Sequence, residues 1–119
     1  MAAPKSPAQN RAPTPRDIEA AYRKARALHQ GGRLQEAAQG YAAVARAAPH
    51  LAEPHFQLGL IALARGDAEG ALAALEAARS RKPDEPAILS ARAEALGAAG
   101  RTGEALAGWD ELIRRMPRE

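Results

Sequence analysis

Apolar residues recur at three- and four-residue spacing along most of the chain, and glycine or proline interrupts them at regular intervals. That spacing puts one apolar stripe on each successive helix and leaves the opposite face polar. Thr14-Pro15-Arg16-Asp17 reads as a helix start: Thr14 at the N-cap, Pro15 in the first helical position and Asp17 in the first turn, where negative charge is favoured. A first helix is predicted over 15–30, with Ile18, Ala21, Ala25 and Leu28 on one face and Gly31-Gly32 ending it. A second is predicted over 33–47, burying Leu34, Ala37, Ala38, Tyr41, Val44 and Ala45 before Pro49 closes the unit. The plan then repeats. Residues 53–64 carry Leu58, Ile61 and Ala62 inward, Gly66-Asp67 supplies a turn and an N-cap, and 68–81 bury Ala71, Leu72, Leu75 and Ala78. Asp84 is expected to cap a fifth helix reaching Ala98, with Ile88, Leu89, Ala93 and Leu96 inward. After the turn Gly100-Arg101-Thr102, a last helix carries Ala105, Leu106, Trp109, Leu112 and Ile113 on its apolar face.

Three landmarks keep one period of 34 residues: Gly32, Gly66 and Gly100 at the turns, Ala37, Ala71 and Ala105 in the second helices, and Pro49, Pro83 and Pro117 at the ends. One two-helix unit cannot bury its own apolar face, so a fixed period of this length implies a stacked array. The repeats fall at about 18–51, 52–85 and 86–119, within a domain spanning 15–119. Residues 1–14 hold Pro4, Pro7 and Pro13 and no periodic apolar residue, and are expected to form a disordered tail.

These landmarks resemble the tetratricopeptide repeat. Ala25, Gly59 and Ala93 stand at that family's small position in the first helix, where the two helices of a repeat approach closely. Tyr41, Leu75 and Trp109 stand at its bulky position in the second helix. The resemblance implies an all-α, right-handed superhelical array of three helix-turn-helix repeats, covering nearly everything after the tail. There are departures: the family's large aromatic early in the first helix is replaced by Ala21, His55 and Leu89, and its leucine three residues later survives only as Leu58.

The resemblance further implies a groove, lined by the first helix of each repeat, that holds a protein or peptide ligand. Its positions fall on Glu19, Tyr22, Arg23, Arg26 and His29, then Glu53, Phe56, Gln57, Leu60 and Leu63, then Ala87, Ser90, Ala91 and Glu94. Phe56, Leu60 and Leu63 would form an apolar patch offered to a partner, or Phe56 would tuck against the neighbouring first helix. Arg23 and Arg26, with Arg33 near the turn, could hold a partner's carboxylate. The carboxylate clamp of the chaperone-tail subset is missing, because its positions are Tyr22, Arg26, Gln57, Ala87 and Ala91.

Composition narrows the function classes. The apolar fraction is 46% but aromatics are only 3%, so burial must come from many close, alanine-rich helix contacts. The formal charge of +3 comes from Lys5, Arg11 and Arg16, since the fourteen basic and fourteen acidic residues from Asp17 onward cancel. A neutral folded body lacks the clustered basic face that nucleic acid requires. No cysteine is present, and no two of His29, His50 and His55 share the spacing that would pair imidazoles for a metal, so no metal or other cofactor is expected. Serine is confined to Ser6, Ser80 and Ser90, without a nucleophile motif or a glycine-rich phosphate loop. The expectation is a non-catalytic interaction module, with no membrane-spanning stretch and a cytoplasmic location, and the arginine- and alanine-rich usage points to a bacterial source. Two alternatives stay open: the N-terminal array of a larger bacterial enzyme, such as a sulfotransferase or glycosyltransferase, and a homodimer. The homodimer would form through Trp109, Leu112 and Ile113, an apolar face with nothing after it to cover it.

Overall fold

The computed structural model describes residues 11–117. Among them lie helices α1 (Pro15–Gln30), α2 (Leu34–Ala47), α3 (Glu53–Ala64), α4 (Ala68–Arg81), α5 (Pro86–Ala98) and α6 (Thr102–Arg115), and no strand. Each helix packs on its neighbours in sequence, and α3 also touches α5. The result is an all-α array of three helix-turn-helix repeats, in which α1, α3 and α5 are the first helices and α2, α4 and α6 the second. Residues 1–10 of the expected tail fall outside the described residues.

The three repeats are built by one local device. Gly32, Gly66 and Gly100 adopt φ of 81°, 78° and 81°, a left-handed conformation that costs glycine little and other residues much more. In each case the next N–H donates back into the preceding helix: Arg33 to the Leu28 carbonyl, Asp67 to Ala62, and Arg101 to Leu96, each over 2.9 Å. This glycine-terminated turn fixes the angle at which the second helix leaves the first. At the start of α1 the capping is reciprocal, with the Asp17 N–H donating to Thr14 Oγ1 at 3.1 Å and the Thr14 N–H to Asp17 Oδ2 at 2.9 Å. Asp67 caps α4 by accepting from the Gly70 N–H at 2.9 Å. The fifth helix departs from expectation. Pro86 takes its first turn, so Glu85 becomes the N-cap, and the Asp84 carboxylate instead pairs with Arg115 at 2.7 Å.

Within a repeat the two helices meet through small residues. An added Cβ on Gly40 would lie 2.9 Å from the Ala25 Cβ, one on Gly108 would lie 3.4 Å from the Ala93 Cβ, and one on Gly59 would lie 2.6 Å from Leu75 Cγ. Between repeats the second helix of one unit is covered by the first helix of the next. Tyr41, Leu75 and Ala78 have no measurable exposure, and Val44 is 2% exposed. No charged residue is buried among the described residues, so the core is held chiefly by apolar contact. The last repeat differs. Leu106 and Ile113 are each 63% exposed and Trp109 is 37% exposed, so the apolar face of α6 stands open, with Leu112 half-buried. Ala21 is likewise exposed, although its spacing from Ile18 and Ala25 placed it on the apolar face of α1.

Candidate functional site

The first helices line one side of the array, and at each junction between them the inter-repeat loop leaves a depression. The first, of about 370 Å³, lies between α1 and the start of α3. The second, of about 240 Å³, lies between α3 and the start of α5. They are the same site displaced by one repeat of 34 residues: Ile18, Glu19 and Tyr22 of the first correspond to Ala52, Glu53 and Phe56 of the second, and Ala48, Leu51 and Pro54 correspond to Lys82, Glu85 and Ile88.

Their chemistry differs. The first is walled by Pro15, Ile18, Tyr22, Ala48, Leu51 and Pro54, with Glu19, His50 and Glu53 also lining it. In the second, two of the equivalent apolar positions are occupied by Lys82 and Glu85, and Lys82 Nζ reaches Glu53 Oε1 at 2.6 Å. Glu53 therefore belongs to both depressions. The hydrogen bond from Lys82 holds its carboxyl below the usual carboxylate range, and the same bond raises the Lys82 ammonium. Glu53 is thus a fixed negative charge between an apolar seat and a polar one.

Tyr22 is positioned by the core beneath it. Its ring centroid lies 5.5 Å from that of Tyr41, which is fully buried and whose hydroxyl is 3.2 Å from His29 Nδ1. Burial, followed by the neighbouring Tyr22, pushes the Tyr41 phenol above its ordinary pKa, so it stays protonated and rigidly placed. His29 is accordingly half-buried against Tyr41 rather than standing free in a groove.

Of the other residues assigned to the groove from sequence, Glu19, Tyr22, Glu53, Phe56, Gln57 and Ala87 line the two depressions. Arg23, Arg26 and Glu94 are exposed away from them, and Ser90 is half-buried. Arg33 pairs with Glu36 at 2.7 Å. Phe56, Leu60 and Leu63 do not form an open apolar patch. All three are half-buried against the core that joins α4 and α5, and Phe56 also packs on the cluster of Ala52, Ala78 and Ile88. Ala91 is not at the surface but 5% exposed, because α5 turns that side onto Leu72 and Leu75. The loop wall of Ala48, His50 and Leu51 is not marked by helical periodicity; its one signal in the sequence is Leu51, a large apolar residue in a turn whose counterpart in the next repeat is Glu85.

Comparison with known proteins follows the same division into repeats. The sequence matches the tetratricopeptide repeat over residues 8–52 and 56–117. The chain belongs to the tetratricopeptide repeat family. No match is found among curated proteins. Among solved structures the fold is similar to the type III secretion translocator chaperone SycD of Yersinia enterocolitica, captured as an alternative dimer. That likeness has a TM-score of 0.79 and 24% identity, over 87% of this chain and 81% of that one. The same chaperone in complex with a peptide of the translocator YopD gives 0.80 and 23%, over 87% and 82%. Among the described residues no helix is long and apolar enough to cross a membrane, and no three of His, Cys, Asp and Glu converge as a metal site would require.

Proposed function

We propose that this tetratricopeptide array is a non-catalytic interaction module, acting in the cytoplasm, that holds an extended segment of another protein along its first helices. The observation that carries the reading is the repeated depression. Two seats one repeat apart, the first apolar and the second polar, suit a peptide that sets an apolar side chain between Ile18, Tyr22 and Leu51 and then a polar one beside Glu53, Gln57 and Lys82. The first seat is a concave apolar site with a few carboxylates at hand, the usual form of an anchor pocket. Glu19 beside it favours a basic residue next to the anchor, since Glu53 is already paired with Lys82. That a chaperone of the same fold has been captured with a peptide of the translocator YopD is in keeping with this mode.

Panning a random peptide-display library on the intact chain tests the proposal. Selected peptides are expected to share one large apolar residue beside a lysine or arginine. The Ile18→Ser/Tyr22→Ser variant should weaken their binding by about tenfold or more, the loss typical of an anchor residue, while helicity is retained. A Phe56→Ala/Leu60→Ala variant probes the neighbouring stretch. Selected peptides that bind the Ile18→Ser/Tyr22→Ser variant as tightly as the parent would refute the first depression as the anchor site.

A further inference from the structure

A repeated groove poses a problem of register that a single pocket does not. The seats recur after 34 residues, so a bound segment could slip by one repeat unless successive seats differ. In this chain the difference lies in the loop wall and in the pairing of one acid. Glu19 and Glu53 are counterparts in the first and middle repeats, and the third has Ala87 in their place. The C-cap of the second helix in each repeat is Ala48, Lys82 and Met116 in turn. Only the middle repeat therefore brings a base to its acid, with Lys82 Nζ donating to Glu53 Oε1 at 2.6 Å. The first depression has neither lysine nor arginine in its lining, so Glu19 has no such partner there.

The Glu53–Lys82 pair contributes little to stability, because both side chains are half exposed. Its effect on a guest is larger. A lysine left to itself can lay its stem along an apolar group and keep its ammonium in water. Lys82 is instead tied to Glu53, and Glu85 stands on the same wall where the first depression has Leu51. An apolar side chain entering the second seat would strip water from these charges or break the pair, with no polar contact in return. The rest of that seat stays apolar: Ala52, Phe56 and Ile88 take the places of Ile18, Tyr22 and Pro54. The wall alone closes it to an anchor.

We infer that Lys82 and Glu85 fix the register of the bound segment. They exclude an apolar anchor from the second depression, and Lys82, by occupying Glu53, leaves Glu19 as the free carboxylate of the first. The inference rests on the peptide-binding reading above and narrows its ligand class. The segment carries one apolar anchor, a basic residue on the side of the anchor that lies over α1, and a polar continuation over α3.

The test is panning of one random peptide-display library in parallel on the parent and on Lys82→Ala/Glu85→Leu, which installs the residue types found one repeat earlier at Ala48 and Leu51. Both replaced side chains are exposed, and circular dichroism checks that the helices persist. Parent peptides should carry one apolar anchor with lysine or arginine on one constant side. Peptides selected on the double variant should carry two apolar residues at a fixed separation. Synthesised, they should bind that variant about tenfold or more tighter than the parent, the gain of one further anchor. Two anchors already present in the parent's peptides, or a double variant that selects the parent's single-anchor motif, would overturn the register assignment and leave the peptide-binding reading standing. No shared anchor in either selection would remove both. Lys82→Gln gives a separate arm that holds even if the double variant fails to fold. Freed Glu53 should add a second basic residue on the other side of the anchor, and basic residues still confined to one side would overturn the role of Lys82.

Discussion

Replacing glycine by alanine inside a helix ordinarily stabilises it, since alanine loses less backbone freedom on folding, by about 0.5–1 kcal/mol. Two glycines of this chain should respond with opposite sign. At Gly97, exposed in the last turn of α5, the new Cβ would sit 3.9 Å from the Ala105 Cβ, an ordinary contact, and a gain at the lower end of that range is expected. At Gly59 the new Cβ would fall 2.6 Å from Leu75 Cγ and 2.8 Å from Leu75 Cδ2. Leu75 has no exposure and cannot swing aside, so α3 and α4 must separate. Overpacking of this kind costs about 1–3 kcal/mol, against the smaller helix gain, so Gly59→Ala should lose up to about 2 kcal/mol net. Urea unfolding followed by circular dichroism measures both variants against the parent, with equal m-values required for the comparison. Leu75→Ala by itself should cost about 2–5 kcal/mol through the cavity it leaves. The Gly59→Ala/Leu75→Ala pair should cost less than the sum of its members, because the added methyl enters the vacated space. Gly59→Ala as stabilising as Gly97→Ala would refute the close approach of α3 and α4 as the reason for glycine there.

His55 Nε2 is buried without a hydrogen-bond partner, and burial, followed by the charge of Arg81, holds the imidazole below its ordinary pKa. The unfolded chain takes up the proton first as pH falls, so the stability tied to neutral His55 is complete above its ordinary value. It declines below about pH 6.5 and levels once the folded protein is also protonated. His55→Phe should flatten the stability profile in that window, and an unchanged slope by denaturant titration would assign the proton elsewhere. Carboxylates such as Glu53, whose pKa is lowered by Lys82, contribute in a separate, more acidic window. Tyr41→Phe removes the contact with His29 and should cost about 0.5–1.5 kcal/mol in thermal or urea unfolding, the ordinary net worth of one hydrogen bond.

The sequence by itself determined what depends on neighbours along the chain. The turn glycines and the caps at Thr14 and Asp67 act within a few residues, and α1, α3 and α4 appear with the bounds their apolar spacing predicts. The 34-residue period carried the architecture, because a repeated local device needs no long-range information to generate an array. Where local signals compete, spacing alone does not decide: Asp84 and Pro86 both mark a helix start, and Pro86 takes the first turn and leaves Glu85 as the N-cap. Only the tertiary structure decided which helix faces are covered. Helical phase gives the direction in which Phe56, Leu60 or Ala91 points, but not how far away the next helix stands, and a neighbour within contact distance turns a presumed groove residue into core. The same applies to the two ends of the array. Leu72 and Leu106 occupy one position in the repeat, and only the presence of α5 over the first buries it while the second remains open to water. The first depression is the clearest case, since Tyr22, Leu51 and Pro54 come from a helix, a loop and the next helix, and converge only when two repeats stack.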